Sequence, residues 1–128
     1  MIQIDEDTSD WSVLLALTDK EASLLLSIVL DGFGYKPLEC DDRNKALELL
    51  SNNSPFVAIV DTGLPKFEDI CNMVSERENI SLFLLTEDNS QAEEVKERYK
   101  ADACETLPVQ AEQVLKTLRI LVQQKVKT

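Results

Sequence analysis

Phe56-Val57-Ala58-Ile59-Val60-Asp61-Thr62-Gly63-Leu64-Pro65 is the stretch on which the reading of this chain turns. Five apolar residues run without alternation, as in a strand buried on both faces of a sheet, and an acid ends the run. Pro65 then suits the first turn of a helix, where the N–H that proline lacks has no intrahelical partner anyway. Ile70, Met73 and Val74 follow at helical spacing.

The same unit recurs on either side. Ser12 to Leu17 is a continuous apolar run. Thr18-Asp19-Lys20-Glu21 behind it matches a capping box, and Leu25, Ile28, Val29 and Phe33 are the expected inner stripe of a helix stopped by Gly32 and Gly34. Tyr35 to Cys40 reads as a weaker strand, at a sheet edge because it contains Pro37, with a helix after it from about Arg43 to Ser51 that turns Ala46, Leu47 and Leu50 inward. Ile80 to Leu85 is a fourth strand, ending at Thr86. Asp88 or Ser90 caps the helix after it, which runs to Lys100 with Ala92, Val95 and Tyr99 inside. Residues 102–106 form a fifth strand, and a last helix after Pro108 carries Ala111, Val114, Leu115, Leu118, Leu121 and Val122. Strands alternating with helices predict an α/β fold: a (βα)5, doubly wound, parallel five-stranded sheet. Residues 1–10 read as a flexible acidic arm, and residues 11–128 as a single domain.

Composition narrows the chemistry. The 128 residues carry a formal net charge of −11, which repels phosphate backbones and anionic lipid and disfavours direct nucleic-acid or membrane binding. No apolar run nears the roughly 20 residues of a membrane span, and the acidic start is not a signal peptide, so a cytoplasmic location is expected. Cys40, Cys71 and Cys104 have no paired or zinc spacing and read as small core hydrophobes of a reducing compartment. Histidine is absent, which removes the commonest general base and metal ligand; the three glycines, Gly32, Gly34 and Gly63, make no phosphate-binding loop. The chain is therefore expected not to be an enzyme.

In an open parallel sheet the ligand site lies beyond the carboxyl ends of the strands. There the sequence resembles the receiver domain of two-component response regulators, across about residues 12–124. Asp61-Thr62-Gly63-Leu64-Pro65 is similar to the D-x-x-x-P motif that begins at the family's phosphoacceptor aspartate. Leu84-Leu85-Thr86 is similar to its switch strand, and Ala101-Asp102 and Pro108 to the pieces around strand five. The resemblance implies the flavodoxin-like receiver fold with strand order 2-1-3-4-5, Asp61 as the phosphoacceptor equivalent and Thr86 as the switch equivalent.

The departures from the family pattern bear on activity. The two acids that would hold Mg²⁺ fall on Leu17 and Thr18, the phosphoryl-steadying lysine on Leu107, the aromatic switch on Cys104, and the glycine before Ala101 on Lys100. A phosphoryl transfer draws its stabilisation from such cations. Asp19 and Asp61 alone make a weak magnesium site at best, and Asp19 also stands where a helix start wants a carboxylate. The expected function is thus a degenerate pseudo-receiver: a signalling module acting through protein contacts, without a required cofactor. The alternative is a true phosphoacceptor receiver, phosphorylated on Asp61 by a histidine kinase. A flavin carrier on the same fold would need a phosphate loop after strand one, which is missing. The expected partners are another protein or an output domain. A homodimer through the fourth helix, fifth strand and fifth helix is also expected, since Glu93, Glu94 and Glu97 there face Lys96, Arg98, Lys116 and Arg119.

Overall fold

The computed structural model describes residues 11–127, and side chains through residue 124; the acidic arm read over residues 1–10 lies outside the described residues. Five strands, β1 (Ser12–Ala16), β2 (Lys36–Cys40), β3 (Val57–Asp61), β4 (Ser81–Thr86) and β5 (Ala103–Thr106), form one parallel sheet in the order β2-β1-β3-β4-β5. Five helices connect and cover it: α1 (Lys20–Gly32), α2 (Arg43–Asn52), α3 (Phe67–Ser75), α4 (Ala92–Arg98) and α5 (Ala111–Lys127). The expected doubly wound fold and strand order are those observed, with the Pro37 strand at the edge. Among the described residues no helix is long and apolar enough to cross a membrane.

Alternate residues of each central strand feed two separate cores. Leu14, Ala16, Ala58, Val60 and Leu84 pack under α2 and α3, with Val95 of α4 and Tyr99 at its C-cap half-buried beside them. Val13, Leu15, Ile59, Phe83 and Leu85 pack under α1 and α5. Both faces being covered explains why β1 and β3 are apolar without alternation. Trp11 meets Phe56 edge-on and Tyr35 stacks on it, closing the amino end of the sheet, opposite the site.

Two expectations for α1 are corrected. Its buried residues are Ser23, Leu26 and Leu30, whereas Leu25 is 59% exposed, Ile28 61% and Phe33 59%. Apolar side chains surround this helix, so its spacing admits more than one stripe, and the packing against β1, β2 and α5 selects the one through Leu26 and Leu30. Nor does Thr18 cap the helix. Asp19 does, its Oδ1 accepting from the backbone N–H groups of Glu21 at 2.9 Å and Ala22 at 3.3 Å. Lys100 has φ 54°, a left-handed backbone that favours glycine, which accounts for the glycine the family pattern places there.

Candidate functional site

Asp61 is the last residue of β3, paired in register with Leu85, and only 3% exposed. Ionised carboxylates survive burial when donors surround them. The loop after β1 supplies two: the Thr18 N–H reaches Asp61 Oδ2 at 3.2 Å, and the Thr18 hydroxyl donates to the same oxygen at 2.8 Å. Gly63 supplies the third, its N–H donating to Oδ1 at 2.8 Å. A side chain at Gly63 would place a Cβ 3.2 Å from that oxygen, so the turn approaches the acid more closely than most residues allow. The Leu64 N–H bonds the Asp61 carbonyl at 3.0 Å and closes the turn. Among the described residues no Lys or Arg forms an ion pair with Asp61.

In front of the acid lies a cavity of about 450 Å³. Leu17, Leu85 and Leu107 are among its walls, and Asp19 and Glu87 reach it from the loops. Leu107 is half-buried, and its N–H donates to the Thr86 carbonyl at 2.7 Å; the Leu107–Pro108 peptide is cis. Thus the adjacent Leu17, Thr18 and Asp19 meet the distant Asp61 and Leu107 around one cavity.

Thr86 and Cys104 stand elsewhere. Thr86 is buried, accepts the Asp88 N–H at 3.4 Å through its hydroxyl, and does not line the cavity. Cys104 pairs in register with Leu84 on the α2/α3 side of the sheet, where burial, opposed by Lys96, pushes its thiol up. All three cysteines are free, and Cys40 and Cys71 are buried. The role of Thr18 as a double donor to Asp61 and the presence of Glu87 at the cavity were not legible in the sequence. The one usable signal was the placement of Thr18 directly after strand one, beside the switch point of the sheet.

The donor set does not fit Mg²⁺. That ion demands near-octahedral oxygen ligands, usually including one or two free carboxylates. Here the Asp61 oxygens receive three N–H or O–H donors, Asp19 is turned to its helix cap, and apart from Thr18 and Glu87 the other residues lining the cavity are apolar. Among the described residues no group of three or more Cys, Asp or Glu side chains is placed to hold a metal.

No protein-family model and no curated protein sequence matches the chain. Solved structures do. A CheY-like response regulator receiver domain protein from Methanospirillum hungatei superposes with a TM-score of 0.80 at 19% identity, covering 91% of this chain and 98% of that one. The chemotaxis response regulator CheY4 of Vibrio cholerae gives 0.77 at 21% identity, covering 86% and 97%. The response regulator TrrA of Thermotoga maritima, solved in complex with Mg²⁺ and beryllofluoride, gives 0.74 at 15% identity, covering 86% and 97%. At these identities the likeness is one of fold: this chain has the fold of receiver domains.

Proposed function

We propose that the chain is a receiver-like signalling module that works through protein contacts, with an acceptor aspartate withdrawn from Mg²⁺-dependent phosphoryl transfer. The observation that carries this reading is the state of Asp61. It is buried, bonded by Thr18 and Gly63, free of any cationic partner among the described residues, and faced by Leu107 where the family would have a lysine. For Asp61 to attack phosphorus, the charge gathering on the phosphoryl oxygens must meet cations. No Lys or Arg among the described residues forms an ion pair with Asp61, and three donors already occupy most of its roughly four lone-pair sites. A non-enzymatic role in the cytoplasm is consistent with the receiver-like fold.

Protein contact has two candidate surfaces. The face of α4, β5 and α5 carries Glu93 and Lys96 beside Cys104 of β5, with Glu94 and Glu97 exposed on α4 and Lys116 and Ile120 exposed on α5, whereas Arg119 acts on Tyr35 before β2. Part of its charge is spent within one helix, since Arg98 pairs with Glu94 at 3.4 Å. A homodimer through this face is proposed, and Lys96→Glu should then weaken concentration-dependent self-association in sedimentation. The outer face of α1 is the second, with Leu24, Leu25 and Ile28 exposed on the helix and Phe33 exposed at its C-cap.

Titrating Mg²⁺ and beryllofluoride into the full chain, while following backbone amides by NMR, tests the reading. The Gly63 and Thr86 amides should stay near their starting positions at millimolar magnesium. Saturable shifts that spread from Gly63 through Thr86 to Cys104 would overturn it in favour of phosphorylation on Asp61 by a histidine kinase.

A further inference from the structure

The cavity before Asp61, at about 450 Å³, is in the size range of small-molecule sites and opens where the strand order reverses between β1 and β3. Its walls include Leu17, Leu25, Leu107 and Val109, and every charged residue that lines it is an acid: Asp19, Asp61 and Glu87. Buried charges are ordinarily paired, yet Asp61 is 97% buried and has no Lys or Arg partner among the described residues. An ionised carboxylate offers about four lone-pair sites. Thr18 fills two on Oδ2 and Gly63 one on Oδ1, which leaves Oδ1 with room for one more donor.

That donor should carry positive charge and should not be a hydrated metal ion. Magnesium would meet the charge but keep several of its waters, and the apolar side of the cavity, Leu17, Leu25, Leu107 and Val109, would offer them no hydrogen bond. An ammonium group on an apolar body meets both demands at once, through a charge-assisted hydrogen bond at one end and burial of hydrocarbon at the other. We infer that this cavity binds a small organic amine. Its ammonium donates to Asp61 Oδ1, its aliphatic or aromatic body lies against Leu17, Leu25 and Leu107, and Glu87 adds attraction at the mouth. This goes beyond the signalling reading and does not depend on it, because it requires only the cavity and a buried carboxylate without a cationic partner among the described residues.

A matched pair of probes tests it on the full chain: phenethylammonium, and phenethyl alcohol as its neutral counterpart. Backbone amide shifts report binding, and the thermal midpoint reports linkage. Phenethylammonium should shift Thr18, Gly63 and Leu107 saturably, with a Kd of about 1 mM or tighter, the range open to so small a ligand. The alcohol should bind at least about tenfold more weakly, the cost of losing one charge-assisted hydrogen bond. Asp61→Asn should bring the amine to the affinity of the alcohol, and Leu107→Lys should abolish amine binding. Magnesium chloride alone should leave the Leu107 amide in place. Equal affinity of amine and alcohol, shifts that miss Leu107, or no saturation by about 10 mM would each overturn the inference. The probe comparison on the unaltered chain decides even if Asp61→Asn does not fold.

Discussion

Two regions meet at the carboxyl end of the sheet and treat charge in opposite ways. The floor, made by β3 and the loop after β1, keeps a buried carboxylate and surrounds it with backbone and hydroxyl donors from Thr18 and Gly63. The wall, made by Leu17, Leu85 and Leu107, carries no charge at all. Neutral donors, rather than a Lys or Arg among the described residues, thus surround the buried acid. Thr18 contributes most, because its hydroxyl and N–H both donate to Asp61 Oδ2.

Substitutions that move charge from one region to the other should break this contrast, and the largest effect should come from loading the wall with acids. Leu17→Asp with Thr18→Asp removes a buried leucine, deletes the hydroxyl bond to Asp61 and sets like charges beside it. The double variant should lose roughly 3–5 kcal/mol in urea unfolding without metal and recover part of that in millimolar Mg²⁺ through linkage. No recovery would mean that an acid pair at these positions does not face Asp61.

Single substitutions sharpen the contrast at a smaller scale. Thr18→Val keeps the shape of the side chain but removes one donor to a buried carboxylate, and should cost about 1–2 kcal/mol by chemical denaturation. Leu107→Ala, on a half-buried wall residue, should cost about 1 kcal/mol or less. A Thr18→Val variant as stable as the parent would deny that the floor depends on that bond.

The smallest effect separates the floor from the core behind it. Cys40 and Cys71 lie under the α2/α3 face, and burial pushes each thiol from 9.0 up to about 12, with Asp42 and Asp41 adding at Cys40 and Glu68 at Cys71. A raised pKa in the fold means that the folded state favours the protonated thiol. Its contribution is complete below pH 9.0 and is lost as pH climbs toward about 12. The double variant Cys40→Ala/Cys71→Ala should be less stable at neutral pH but show a flatter profile across that alkaline window. An unchanged slope would place the alkaline loss elsewhere.

Much of the fold was legible because buried parallel strands announce themselves: Val13 to Leu17 and Phe56 to Val60 are apolar without interruption, and Pro37 marks an edge. The face of α1 was not legible. Leu24, Leu25, Leu26, Ile28, Val29 and Leu30 wrap the helix, so only tertiary packing singles out Leu26 and Leu30. Asp61 was legible from its place after a buried run followed by Pro65. Its partner was not, since Thr18 and Asp61 are 43 residues apart and only the β1–β3 pairing joins them. The local pattern offered both Thr18 and Asp19 as caps, and the backbone assigns the cap to Asp19, leaving Thr18 for the acid.

The central claim is that missing cations silence Asp61, and the most direct measurement is phosphorylation by acetyl phosphate with Mg²⁺, followed by intact mass. Three chains are compared: the parent, Leu17→Asp/Thr18→Asp, and the triple variant that adds Leu107→Lys. Metal and lysine stabilise different oxygens of one transition state and act as a unit. The account predicts an unlabelled parent, slow labelling of the double variant and faster labelling of the triple. A parent labelled on Asp61 as fast as the triple variant would contradict it.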